Sequence, residues 1–343
     1  MRFADFRSDT LTKPTPEMRH AMMEAEVGDD VFGEDPTVNR LQEMIADMTG
    51  KEAALFVASG TQGNEVCISA HTLPGKEIIV GKESHIFNYE CGGPALLSGV
   101  QMYPVNEQNG IITLEHVRSA VRHVDVHYPQ TSLVCLENTH NRGGGIILPL
   151  ENIKSISEFA KSQNLKMHLD GARLWNACVA TGISLKEYCQ YFDSILLSFS
   201  KGLGAPVGSI VVGDKQFINQ VHYYRKVYGG GMRQVGILAA ACIYALENNF
   251  SRLKEDHERA KRFAEAISQI PALKVDLETV QTNIVIFDVV EPDFNAEKFL
   301  YKLQENGVLM LEIDPNRIRA VVHLDLADTD IERAIDVLTN LLK

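Results

Sequence analysis

Short apolar runs, too brief for helices, recur at 54–58, 77–80, 131–136, 165–170, 194–200 and 208–212, with helical patterns between them. Continuous runs of this kind read as strands buried on both faces, because a strand with one wet face alternates apolar and polar residues. Strands separated by helices restrict the topology strongly. Parallel neighbours need long crossovers, and the helices supply these while covering both faces of the sheet. The expected architecture is therefore α/β with a mostly parallel sheet, and in such sheets ligands collect beyond the carboxyl ends of the strands.

An apolar helical pattern runs from about Leu238 through Leu246, stalls at Asn248-Asn249 and resumes with heavy charge over 253–267. Beyond it the order is strand (283–289), helix (296–306), strand (308–311), strand (318–324) and helix (328–342), a compact α+β unit. The residues up to Pro16 carry no convincing element. The chain of 343 residues is long enough for two cores, and it divides into an extended arm (1–16), a large α/β domain (17–249) and a small C-terminal α+β domain (250–343).

Composition bounds the function. A net charge of −12 argues against a nucleic-acid partner, so any anionic ligand has to be held by locally concentrated cations. The six cysteines form no C-x-x-C pair and are expected to be reduced thiols. The first residues, with Arg2, Asp5, Arg7 and Asp9, lack a signal-peptide pattern, and the apolar stretch 236–246 is too short to span a membrane. A cytoplasmic protein without a membrane partner is expected, and no metal site.

Two residues sit where a ligand of such a sheet would be. Asp170 ends the run Met167-His168-Leu169-Asp170, and Lys201 follows another in Ser198-Phe199-Ser200-Lys201-Gly202-Leu203-Gly204. An isolated Ser-Lys-Gly is ordinarily a surface lysine, and an Asp before Gly-Ala-Arg ordinarily a helix cap. Here hydroxyls flank the lysine, and Gly202, Gly204 and Gly208 let backbone approach a ligand closely. A lysine and a carboxylate at two strand ends are the groups that pyridoxal 5'-phosphate requires: the amine bonds its aldehyde, and the carboxylate pairs with its ring nitrogen. In Leu55-Phe56-Val57-Ala58-Ser59-Gly60-Thr61-Gln62 a strand gives way to a helix start, where Gly60 and Thr61 could seat a phosphate.

Six blocks in order, Arg7-Ser8-Asp9-Thr10, Gly28-Asp29-Asp30-Val31-Phe32-Gly33-Glu34-Asp35-Pro36-Thr37, Leu136-Glu137-Asn138-Thr139-His140-Asn141, Asp170-Gly171-Ala172-Arg173, Ser200-Lys201-Gly202-Leu203 and Gly229-Gly230-Gly231-Met232-Arg233-Gln234, make the chain resemble the L-threonine aldolases. These belong to the aspartate-aminotransferase-like pyridoxal phosphate enzymes, which implies a seven-stranded sheet between helices. The resemblance implies that Lys201 bonds the cofactor, Asp170 pairs with its ring nitrogen, His85 stacks on its face, and Gly60 and Thr61 cradle its phosphate. Lys226 and Arg233 match positions near that phosphate, partly from a neighbouring subunit of a homo-oligomer, with a tetramer expected. Ser8, Arg173 and Arg319 match the substrate carboxylate site, Arg173 also counting among the cofactor contacts, while His127 matches a position near the substrate β-hydroxyl. Phe32 stands where the family usually has tyrosine, so a phenolic hydrogen bond is missing.

The activity implied is retro-aldol cleavage of L-threonine, L-allo-threonine or a related β-hydroxy-α-amino acid to glycine and an aldehyde. His85, His127 and a phosphate-bound water all remain open as the base that takes the hydroxyl proton. A β-eliminating lyase would share Lys201 and Asp170 but release ammonia and a keto acid. A nicotinamide oxidoreductase has little support, because the glycines after Lys201 follow a late strand with no helix pattern behind them.

Overall fold

The computed structural model describes residues 2–290 and 295–342. Its strands in chain order are β1 (Ala4–Asp5), β2 (Ala53–Val57), β3 (Glu77–Gly81), β4 (Gln101–Val105), β5 (Thr131–Glu137), β6 (Lys166–Gly171), β7 (Ser194–Ser198), β8 (Ser209–Gly213), β9 (Leu273–Val275), β10 (Ile284–Val289), β11 (Val308–Leu309), β12 (Leu311–Asp314) and β13 (Arg317–Val321).

A seven-stranded sheet of order β2-β8-β7-β6-β5-β3-β4 forms the centre. Its ladders from β7 through β4 are parallel, while β8 runs antiparallel to both β7 and β2. The strands β3, β7 and β8 are buried along their whole length, each with an apolar centre and with buried polar residues at its ends (Glu77, Ser194, Ser198 and Ser209). Six of the seven strands follow the apolar runs. The seventh, β4, lies at the sheet edge, with Val105 its one buried residue and Pro104 inside it; such a strand need not carry a fully buried apolar run to announce it.

The main core fills the space between this sheet and its helices, from Val38, Leu41 and Ile45 to Trp175, Phe199 and Ala241. Packing is close enough for single glycines to matter. Gly208 adopts φ +106°, and a Cβ there would fall 2.7 Å from a ring carbon of Phe56. The small C-terminal sheet, β12-β13-β10-β9, is antiparallel and has its own core with Phe263, Phe287, Leu303 and Leu338. The first residues carry one short strand. β1 pairs in parallel with β11, and Ala4 and Phe6 are fully buried in the small core, so the arm is stitched to the far end of the chain. All six cysteines are free thiols, and among the described residues no helix is long and apolar enough to cross a membrane.

Candidate active site

Because β5, β6 and β7 are parallel neighbours, their carboxyl ends emerge side by side, with Glu137 in register with Asp170 and Asp170 with Leu196. β7 ends at Ser198, whose carbonyl accepts from Trp175 Nε1 at 2.9 Å. The turn that follows is closed by the Gly204 N–H donating to the Lys201 carbonyl at 2.8 Å, so Lys201 stands on a fixed backbone. Beside it the helix Gly60–His71 begins, capped by the Ser59 hydroxyl, which accepts from the Gln62 N–H. A Cβ on Gly60 would lie 3.3 Å from Ser198 Oγ, so this helix start abuts the strand that carries the lysine. Unpaired N–H groups and the helix dipole make it a seat for an anion.

Asp170 is buried, and burial alone would raise its pKa. Charges on His85 and Lys201, with hydrogen bonds from Asn64 Nδ2 (2.9 Å) and the Ala172 N–H (3.1 Å), prevail and hold the carboxyl below its ordinary value. Lys201 shifts in the reactive direction. Burial first, and then repulsion from Arg173, pull its ammonium below the usual lysine value, against the pull of Asp170, Asp9 and Glu137. His85 begins a short helix, its backbone N–H on Glu137 Oε2 (2.7 Å) and its Nδ1 2.8 Å from Glu90 Oε1. Burial works against its charge, but Glu90 and Asp170 raise its pKa overall. The donor atoms of His85, Glu90 and Asp170 all lie within 4.8 Å of one another.

A cavity of about 360 Å³ opens above these groups, lined by Ser8, His85, Asn141, Arg173, Lys201 and Arg319 among others. Its two arginines are in different states. Arg173 makes a bidentate ion pair with buried Asp9, Nε and Nη2 each at 2.7 Å from a carboxylate oxygen. Among the described residues Arg319 donates only to the Asn141 side chain (2.9 Å) and the Arg7 carbonyl (3.2 Å), and its buried Nε has no partner. Among the described residues no carboxylate pairs with it, and burial followed by repulsion from Arg173 pulls its pKa down. A guanidinium in that state is ready for a carboxylate brought in from outside. Ser8 reaches the rim, its hydroxyl 2.8 Å from that of Thr10.

Of the residues singled out in the sequence, the fold gathers Ser8, His85, Arg173, Lys201 and Arg319 around this cavity, with Asp170 among their charges and Gly60 next to Ser198. Thr61 is exposed on the first turn of its helix. The structure does not bring His127 there. Its side chain is 81% exposed, held only by Asp125 at 2.7 Å, in a segment whose Val124 and Val126 also face outward. Its assignment beside the β-hydroxyl came from resemblance alone, and within one chain His85 is the imidazole at the cavity. Lys226 and Arg233 also lie outside it: Lys226 is exposed near a helix end, and Arg233 pairs with Asp29 (2.8 Å) above the exposed ring of Phe32. Sequence reasoning gave no role to Asp9, Asn64, Glu90 or Asn141. For Asn64 a signal existed, since Asn64-Glu65 precedes Val66-Cys67-Ile68 on the buried part of the helix.

The profile of the beta-eliminating lyase family matches residues 5–290. The chain is 44% identical over 336 residues to low-specificity L-threonine aldolase 1 of Arabidopsis thaliana, with 96% of this chain and 94% of that protein covered. It is 45% identical over 324 residues to the low specificity L-threonine aldolase of Escherichia coli K12, covering 94% of each. A solved threonine aldolase structure from Leishmania major superposes with a TM-score of 0.86 over 99% of both chains at 18% identity, which shows the same fold. The fold is thus the aspartate-aminotransferase-like α/β architecture expected from the sequence. With a family match over most of its length and relatives at these identities, the chain belongs to the beta-eliminating lyase family.

Proposed function

We propose that the protein is a pyridoxal 5'-phosphate-dependent aldolase that cleaves L-threonine, L-allo-threonine and related L-β-hydroxy-α-amino acids to glycine and an aldehyde. The residues present fit that cofactor: a lysine with a depressed pKa, a buried carboxylate kept charged, and an open helix start beside them. Bound there, it supplies an electron sink for a bond that breaks at the substrate α-carbon. The observation that carries the substrate class is Arg319, a half-buried guanidinium with a buried Nε and, among the described residues, no carboxylate partner, in one cavity with Lys201 and His85. Names of the relatives support the same class.

Arg319 takes the substrate carboxylate and fixes the α-carbon near Lys201. His85, its Nδ1 engaged by Glu90, presents Nε2 to the β-hydroxyl and accepts its proton. The Cα–Cβ bond then breaks with its electron pair left on the α-carbon side, the aldehyde departs, and a proton delivered to the α-carbon completes glycine. Arg173 contributes indirectly, because Asp9 already occupies its fork. Lys226, Arg233 and Phe32 form an outward-facing group, which supports an active form in which a second subunit covers them. The proposed form is a homo-oligomer, a tetramer of paired subunits, working in the cytoplasm in threonine breakdown and glycine supply.

Replacing Arg319 by leucine is expected to raise KM for L-threonine about 30-fold or more, the effect of losing a charge-assisted pair of about 2–5 kcal/mol. An unchanged KM would remove Arg319 from the carboxylate site. The test of the function is aldehyde release from L-threonine and L-allo-threonine, read through an alcohol dehydrogenase. A β-eliminating lyase, which the family name keeps in view, would instead release ammonia from a serine-like or aromatic amino acid.

A further inference from the structure

Glu65 and Glu90 lie buried side by side next to the cavity. Among the described residues both oxygens of Glu65 and Oε2 of Glu90 have no hydrogen-bond donor, while Glu90 Oε1 accepts from Asn64 Nδ2 (2.7 Å) and faces His85 Nδ1 (2.8 Å). Orphaned acceptors at this depth are costly, and two carboxylates in contact cannot both stay ionised. One proton on Glu65, donated to Glu90, removes the charge repulsion and engages one oxygen of each carboxyl.

We propose that Glu65 and Glu90 form a carboxylic acid–carboxylate pair that acts as a positioning unit for His85: Glu65 holds the proton, and Glu90, kept ionised, fixes the imidazole with Nδ1 protonated and Nε2 toward the substrate. Asn64 ties the unit to the cofactor site, since its Nδ2 bridges Glu90 and Asp170 and its Oδ1 lies 3.0 Å from His168 Nε2. The direction of protonation agrees. Burial first, then the charge of Glu90, push Glu65 up to about 9, so it keeps its proton at neutral pH. Glu90 is raised as well, by burial first and by the charge of Asp170, while its hydrogen bonds with His85 and Asn64 favour its charged form and limit the rise. Other titratable groups around the unit are Tyr89, whose ring centroid lies 5.6 Å from that of His85, Asp170 on β6, Glu137 and the neutral thiol of Cys135 on β5, Lys201 after β7, and Tyr228 near Glu65.

This rests on the reading of His85 as the base, so the test separates the two. In Glu90→Gln holoenzyme, the His85 imidazole pKa followed by NMR of labelled histidine is expected to fall by about one pH unit or more, because an adjacent negative charge is gone. The acid limb of kcat/KM against pH for L-threonine should move down with it. Glu90→Asp, which keeps the charge, should restore the limb at least in part, and so guards against a folding defect. Infrared spectra at neutral pH should show a protonated carboxyl band in the wild type that Glu65→Gln lacks. A band that persists in Glu65→Gln, or a His85 pKa that does not move in Glu90→Gln, would overturn the pair. A shifted His85 pKa with an unmoved acid limb would leave the pair standing and remove His85 as the base.

Discussion

Lys201→Ala is expected to lower kcat at least about 10³-fold and to abolish covalent capture of the cofactor by borohydride. Among the described residues no other lysine lines the cavity, and Lys201 stands past the end of β7 with its charge disfavoured by burial and by Arg173. The wild type should yield a single reduced, cofactor-bearing peptide containing Lys201. A labelled peptide from elsewhere would dismantle the site built here. The variant should still fold, since Lys201 makes no side-chain ion pair among the described residues and its turn is held by backbone hydrogen bonds.

Asp9→Ala is expected to cost about 3–5 kcal/mol of stability, because it leaves the buried Arg173 guanidinium without its bidentate partner. Burial would raise the Asp9 pKa, but the charge and hydrogen bonds of Arg173 win and bring it from 3.8 to about 2. A lowered carboxyl pKa means stability that is present above the ordinary carboxylate range and is lost as pH falls toward about 2, which amounts to about 2–3 kcal/mol. The gap in denaturation midpoint between wild type and variant should therefore narrow from pH 5 toward pH 2. A gap independent of pH would mean that the charge of Asp9 contributes nothing. Beyond stability, the loss would free the Arg173 fork to compete with Arg319 for the substrate carboxylate.

How much of this was legible in the sequence follows from where each signal resides. Strands buried on both faces reveal themselves because their centres are runs of apolar residues, and the positions of Asp170 at the end of one such strand and Lys201 past the end of another follow from the same reasoning. The edge strand β4 was hidden because solvent removes the need for such a run. The docking of Ala4 and Phe6 into the small core was hidden too, since two buried residues in a polar stretch carry no period. Asp9 and Glu90 acquire their roles only from Arg173 and His85, partners that the fold delivers. Resemblance located Arg319, but its unpaired state is a property of the folded chain. Resemblance also drew in His127, which a single chain leaves on the outside.

The most direct measurement is the carbon balance of one reaction. Holoenzyme incubated with L-threonine and followed by NMR should release glycine and acetaldehyde in equal amounts, with no ammonia and no 2-oxobutanoate. Ammonia with a keto acid in place of that pair would contradict carbon–carbon cleavage and assign the site to β-elimination.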